Sequence, residues 1–220
     1  MTAPEGLQRL LTWLSPAFPT GAFAWSAGLE TAIADRRVTD STGLTNWLAG
    51  ALAHGALRTD TIIVAEAHRR VADPPGLREL AELSVALTPA AERRHETLAT
   101  GASFVIATRA WPSDVFARLP EPCPYPVVVG AIAAAHGIPL RDVLLGYITA
   151  ALHGQVSVAV RLVPLGQTAG LRVMAALEPQ AAKLAAFAES ATLDDIGGIA
   201  YAADIAQMQH ETLEPRIFRS

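Results

Sequence analysis

Leu7, Leu10, Leu11 and Leu14 recur at i, i+3, i+4 and i+7, so the chain opens with an amphipathic helix that Pro16 must end. After a loop from Pro16 to Gly21, the pattern predicts a second helix from about Trp25 to Asp35. A third starts at Ser41 or Thr42, with Ser41 as its cap, and carries Leu44, Trp47, Leu48, Ala51 and Leu52. Helical spacing continues through Thr59 to Val71 and Leu77 to Leu87, parted by Asp73-Pro74-Pro75-Gly76. Pro89 then introduces a long polar helix from about Ala90 to Arg109.

Five prolines between Trp111 and Pro126 forbid a long regular element, so this stretch reads as a connector. Helices follow over about Val127–His136, Leu140–Arg161, Pro164–Leu177 and Pro179–Ala191, and a short one over Ala200–His210. Val156, Val158, Val160 and Leu162 alternate with Ser157, Ala159 and Arg161 as a strand would. A lone strand leaves its backbone unpaired, and no second convincing strand is apparent, so helix is the expected state there too. The expected architecture is all-α: one compact domain of about ten helices over 1–209, with a C-terminal docking tail over 210–220.

Composition narrows the function classes. The net charge is −4, with no run of basic residues to follow a phosphate backbone, so nucleic acid is not an expected partner. A single cysteine, Cys123, excludes an internal disulfide and every cysteine-cluster zinc site. The apolar run Val143–Val160 approaches bilayer length, but Tyr147, Thr149, His153, Gln155 and Ser157 interrupt it, which fits a core helix better than a membrane span. No charged start followed by an apolar core marks a secretory signal, so the cytoplasm is the expected location. With 51% hydrophobic residues, the chain has more apolar side chains than a small monomer needs, which points to partners.

Three patterns resemble chemistry. Ala24-x-Ser26-x-Gly28 is one methyl group from a G-x-S-x-G nucleophile elbow, and the order Ser26, Asp194 or Asp204, His210 is that of α/β-hydrolases. An elbow needs a strand before it, whereas Pro16, Pro19 and Gly21 precede Ser26, so a serine hydrolase is the weaker alternative. His95-Glu96 and His210-Glu211 both begin like the H-E-x-x-H zinc helix but lack its second histidine, Ala99 and Glu214 standing there instead. Gly166 and Gly170 have the spacing that lets helix backbones approach closely. Arg161, after a long apolar helix, must end in an ion pair, at an interface or snorkelling into solvent. The tail, His210 to Ser220, sets Ile217 and Phe218 between Arg216 and Arg219, as a docking segment would: an aromatic anchor with fork-shaped cations for a partner's carboxylates.

Three motifs in order carry a resemblance. Ser15-Pro16-x-x-Pro19-x-Gly21-x-Phe23-x-Trp25-Ser26-x-Gly28-Leu29-Glu30, Arg161-Leu162-x-Pro164-x-Gly166-Gln167 and His210-Glu211-Thr212-x-x-x-Arg216-x-Phe218-Arg219-Ser220 together resemble the urease accessory protein UreF family. A looser match, Glu92-x-Arg94-x-Glu96 followed by Gly101, lies between them. The resemblance implies an all-α, non-catalytic scaffold without a cofactor of its own. Such a scaffold is dimeric in its complex and bridges a UreD (or UreH) accessory protein to the nickel-carrying GTPase UreG on apo-urease. Carried over position by position, the tail, from His210 and Glu211 through Arg216, Phe218 and Arg219, docks on UreD/UreH. Glu30, Arg161 and Arg216 lie near the GTPase-facing surface.

Ala27, Leu171, the Ala99-Thr100 pair and Pro215 depart from the family's usual residues, so no polar contact is carried over to positions 27, 99 and 171. A nickel-binding metallochaperone is the remaining alternative.

Overall fold

Two helices buried on all sides through their middle turns form the centre of the protein, for which a computed structural model describes residues 3–220. Helix α7 (Tyr125–Ala135) is buried continuously from Pro126 to Ala133, and helix α4 (Ala56–Arg69) from Thr61 to Ala67. They share the most extensive helix–helix contact in the molecule. Around them lie α3 (Ser41–His54), α5 (Pro74–Ala86), α6 (Ala91–Thr108), α8 (Leu140–Leu162) and α9 (Gln167–Ala188). Helix α1 (Ala3–Trp13) rests on α8, and the short α2 (Leu29–Ala34) packs against α8 and α10 (Tyr201–His210). Among the described residues there are ten α-helices and no strand, as the spacing of apolar positions predicts.

Glycine makes the central crossing possible. A Cβ on Gly130 of α7 would stand 2.3 Å from the Val64 carbonyl oxygen and 2.9 Å from the Ala67 methyl. The near atom is backbone, so neither a rotamer change nor a flexible tip relieves it. Gly130→Ala must therefore separate α4 from α7. Overpacking of this kind costs about 1–3 kcal/mol or more, which at 2–4 °C per kcal/mol lowers Tm by roughly 2–12 °C. Thermal unfolding of the variant at unchanged Tm would contradict this packing.

Several expected boundaries move, each for a local reason. Helix α3 is capped by Asp40, whose carboxylate accepts from the Gly43 amide at 2.8 Å, and not by Ser41, which is the first helical residue. The two helices expected on either side of Pro179 are one, because α9 runs through the proline. Gly170, Val173, Leu177, Ala181, Leu184 and Ala188 continue a single buried stripe across it, and that packing outweighs a loss of about 3 kcal/mol for an interior proline. Gly170 does bring helices together, since its Cβ would meet Val156 and Val160 of α8 at 3.0 and 3.1 Å, whereas Gly166 has open space around it. The period-two segment 156–162 is helical, as the lack of a pairing strand requires.

Helix α8 is long and apolar enough to span a membrane, but Leu144, Tyr147, Ile148, Leu152 and Ala159 are buried against neighbouring helices. The largest displacement of a boundary falls at the second helix. It starts at Leu29 instead of Trp25, because residues 25–28 are taken up by contacts with the C-terminal tail. Gly28 turns the chain with φ of +78°, and a Cβ there would lie 2.7 Å from the Gln207 amide nitrogen of α10.

Candidate functional site

The proline-rich loop, the start of α2, the first turns of α6 and the last eleven residues meet at one place. Glu30 lies in the first turn of α2 with its carboxylate buried. Its Oε1 accepts the Ile217 amide at 2.7 Å, and its Oε2 accepts the Phe218 amide at 2.9 Å and faces His210 Nε2 at 2.9 Å. His210, the last residue of α10, is fully buried, and its Nδ1 lies 2.7 Å from Glu92 Oε2. Both ring nitrogens thus face carboxylate oxygens. Arg216 donates to the other oxygen of Glu92. Two carboxylates, one imidazole and one guanidinium form a closed cluster in which each buried polar group finds a partner.

The end of the chain is bound by a second set of contacts. The Arg219 amide donates to the Ala24 carbonyl at 2.9 Å, and the Ser26 amide to the Ser220 carbonyl at 2.8 Å. Ser26 Oγ donates to that same carbonyl and accepts from the Glu30 amide at 3.3 Å. Ser220 Oγ donates to Glu96 Oε2 at 3.1 Å. The fully buried hydroxyl of Ser26 is therefore occupied by the tail, and His210, the histidine a hydrolase would need beside it, is committed to Glu30 and Glu92.

Glu30, Arg161, His210, Glu211, Arg216, Phe218 and Arg219 all come into this region, though with different exposures. Phe218 is 4% exposed and belongs to the hydrophobic core, so it anchors the tail inward and offers a partner almost no surface. The Arg161 guanidinium lies over its ring, 5.8 Å from the centroid, and the Arg219 guanidinium lies at the same distance over Trp25. Glu211 accepts the Ala91 amide at 3.0 Å, satisfying one of the free N–H groups at the start of α6. Ile217, by contrast, is 76% exposed, between Arg216 and Arg219.

Deeper in, α6 contributes residues that the sequence did not single out as site residues. Glu92, Arg93 and Glu96 occupy the first two turns, and Arg93 pairs with Asp60 of α4 at 2.8 Å and with Glu96 at 3.2 Å. The Tyr147 hydroxyl donates to Asp60 at 3.4 Å. Burial raises the pKa of both Asp60 and Glu96, with Arg93 opposing it. For Arg93, burial acts to lower the value, but Glu96 and Asp60 together hold it above the ordinary range. One guanidinium thus serves two largely buried carboxylates, one of which also receives the Ser220 hydroxyl. The available signal was the i, i+1, i+4 spacing of Glu92, Arg93 and Glu96, which puts them on adjoining faces of one helix. Among the described residues no group of three or more His, Cys, Asp or Glu is placed to hold a metal ion.

Comparison with known proteins identifies the family. Residues 38–178 match the family model described as UreF. The urease accessory protein UreF of Rhizobium etli (strain CFN 42) is 47% identical over 216 residues, covering 98% of this chain and 97% of that one. The protein of that name from Agrobacterium fabrum is 45% identical over the full length of both, and that of Rhodopseudomonas palustris (strain BisB5) 46% identical over 97% of this chain and 91% of its own. With a family model matched over more than half its length and relatives this similar from end to end, the chain belongs to the UreF family of urease accessory proteins.

Proposed function

We propose that this chain is a non-catalytic scaffold of urease maturation. It joins a UreD/UreH-type accessory protein to a UreG-type GTPase on apo-urease and works as a homodimer in the cytoplasm. Nickel is cargo, passed from the GTPase to the urease active site, and this chain has no cofactor of its own. The observation that carries the reading is the division of labour within the tail. Phe218, His210 and the backbone of residues 217 and 218 are spent on holding the segment in place. Ile217 is left facing outward on a fixed backbone, flanked by Arg216 and Arg219, which stay exposed while the first pairs with Glu92 and the second lies over Trp25. An apolar side chain between two guanidinium groups, ordered before the partner arrives, suits a partner surface with an apolar pocket rimmed by carboxylates. Glu30, His210 and Glu211 act in docking by holding that patch, and Arg161 by bracing Phe218.

Co-expression with a UreD-type partner and affinity purification tests this. Removing residues 210–220 abolishes co-purification. Because the deletion also takes Phe218 out of the core, a second variant changes only exposed positions: Ile217→Asp with Arg219→Ala is expected to weaken partner binding about 100-fold, the loss of one hot-spot cluster of roughly 3 kcal/mol, at unchanged Tm. Wild-type affinity in both variants would rule out docking through the tail.

A further inference from the structure

The N-terminal helix is tied to the bundle through an imidazole that has to be uncharged. His136 closes the C-terminal end of α7 and is buried, and Nη1 of the half-buried Arg9 on α1 lies 2.9 Å from its Nδ1. A guanidinium only donates, so Nδ1 carries the lone pair and the ring proton sits on Nε2. That Nε2 is buried with no hydrogen-bond partner among the described residues, and so is the indole Nε1 of Trp13. The Trp13 and His136 rings meet edge to face, with centroids 5.1 Å apart. No carboxylate among the described residues is bonded to the imidazole. Glu5, the carboxylate of α1, stands one turn before Arg9, and His68 of α4 turns its Nε2 to the Ile138 carbonyl at 2.9 Å.

A second ring proton has no acceptor here. At Nδ1 it would point at a guanidinium, at Nε2 the existing N–H already lacks a partner, and Trp13 adds a further donor. The carbonyl end of α7 favours a cation, but with about half an elementary charge, against the full charge of Arg9 in contact with the ring. Burial first, and then Arg9, hold His136 below the ordinary histidine range. His68 is also lowered by burial, yet its bond to a carbonyl survives protonation, because a donor stays a donor. We propose that His136 is an acid-sensitive latch on α1: uncharged, it accepts Arg9 and holds the helix on the bundle, and on taking up a proton it lets the helix open. Leu10 and Trp13 supply the apolar part of the hold, so the latch changes how often α1 opens and leaves the rest of the fold intact. The sign follows from proton counting. With α1 open, the imidazole is in water and charges below about pH 6.5, whereas with α1 closed it does not, so opening gains as pH falls below that value and is unaffected above it. For one histidine proton the open population at pH 5 exceeds that at pH 7.5 by up to about 30-fold.

Hydrogen exchange on the purified full-length chain, read by NMR between pH 7.5 and pH 5, provides the test. After correction for intrinsic rates, and relative to Val129 and Ala131 in α7, protection of the Leu10 and Leu11 amides and of the Trp13 indole N–H falls by roughly 10- to 30-fold on acidification. In His136→Asn an amide oxygen takes the place of Nδ1, accepts Arg9 and cannot be protonated, so α1 is protected equally at both pH values. Arg9→Met loosens α1 already at pH 7.5 and shrinks the response to acid, while His68→Gln leaves the response in place. The ring protons of His136 in the wild type give a second readout that needs no variant: the closed state titrates below the ordinary histidine value, and its charging coincides with exchange in α1. Protection in α1 that changes less than about 3-fold over this range overturns the latch, as does a full response in His136→Asn. So does an imidazole that charges near pH 6.5 with α1 still protected, while loss of the response in His68→Gln assigns it to that residue instead. None of these outcomes bears on tail docking, which reads a partner and other residues.

Discussion

Replacing Glu30 with alanine is expected to release the C-terminal tail while leaving the helical body folded. The carboxylate is the common acceptor for the Ile217 amide, the Phe218 amide and His210 Nε2, all within 2.9 Å. Truncation removes all three bonds at once and leaves the fully buried His210 facing only Glu92. Each buried donor left without an acceptor costs about 1–3 kcal/mol. The local closing free energy should therefore fall by at least about 3 kcal/mol, or more than 100-fold in the population of the open tail. Hydrogen exchange at the Phe218 and Arg219 amides and at the Ser26 amide, which bonds Ser220, reads this directly.

The α4–α7 core is not touched by this change, so Tm drops by much less than a core substitution would cause. Glu30→Gln keeps an acceptor oxygen but turns an NH₂ group toward donors, and should fall between the two. Binding of a UreD-type partner should decline in the same order, since a mobile tail must be ordered at the moment of docking. Unchanged protection at Phe218 in Glu30→Ala would show that the tail is held by its apolar anchor alone.

Most of the body was readable because burial follows helical spacing. Leu44, Leu48 and Leu52 of α3, and Leu77, Leu80 and Ala81 of α5, are buried as their periods require. The boundaries that moved are those where a distant segment competes for the backbone. Nothing local in Trp25–Gly28 opposes a helical turn, but Ser220 accepts the Ser26 amide and α10 presses on Gly28, contacts that span nearly the whole chain. Pro179 is the converse case, a local breaker overruled by a buried stripe on both sides of it. The tail was legible as a motif and not as a geometry. Sequence alone recommends Phe218 as an outward anchor, because a terminal aromatic between arginines has no local reason to turn inward. Its burial follows from Glu30, 188 residues away, catching its amide. The groups that hold Glu96 and Asp60 stayed hidden for the same reason, since Arg93 reads as one solvated charge among many on a polar helix.

Arg93 is the residue whose loss should damage the fold most. It pairs with Asp60 on α4 and Glu96 on its own helix, linking the central bundle to the segment that receives Ser220. Arg93→Met leaves two carboxylates in a largely buried site with no cation, a loss of about 3–5 kcal/mol, or roughly 6–20 °C in Tm. The pH dependence separates charge from packing. Burial already raises the pKa of both Asp60 and Glu96 in the wild type, so between the ordinary carboxylate range and those raised values the folded state holds more protons than the unfolded chain. Their contribution to stability therefore falls as pH rises through that window. Without Arg93 both carboxylates shift further up and the window widens. The deficit of the variant relative to wild type should be largest at neutral pH and shrink as the solution is acidified toward pH 5. Adding Asp60→Asn and Glu96→Gln to Arg93→Met should recover much of the loss at pH 7, since a neutral polar pair needs no counter-charge. A deficit that stays constant with pH, or that the neutral pair fails to relieve, would mean that Arg93 acts by filling space. In that case Glu96 would not be expected to couple the core to the tail, and the Ser26 and Arg219 amides should keep their protection in the Arg93 variant. If charge is the cause, protection at Ser26 and Arg219 should fall together with Tm.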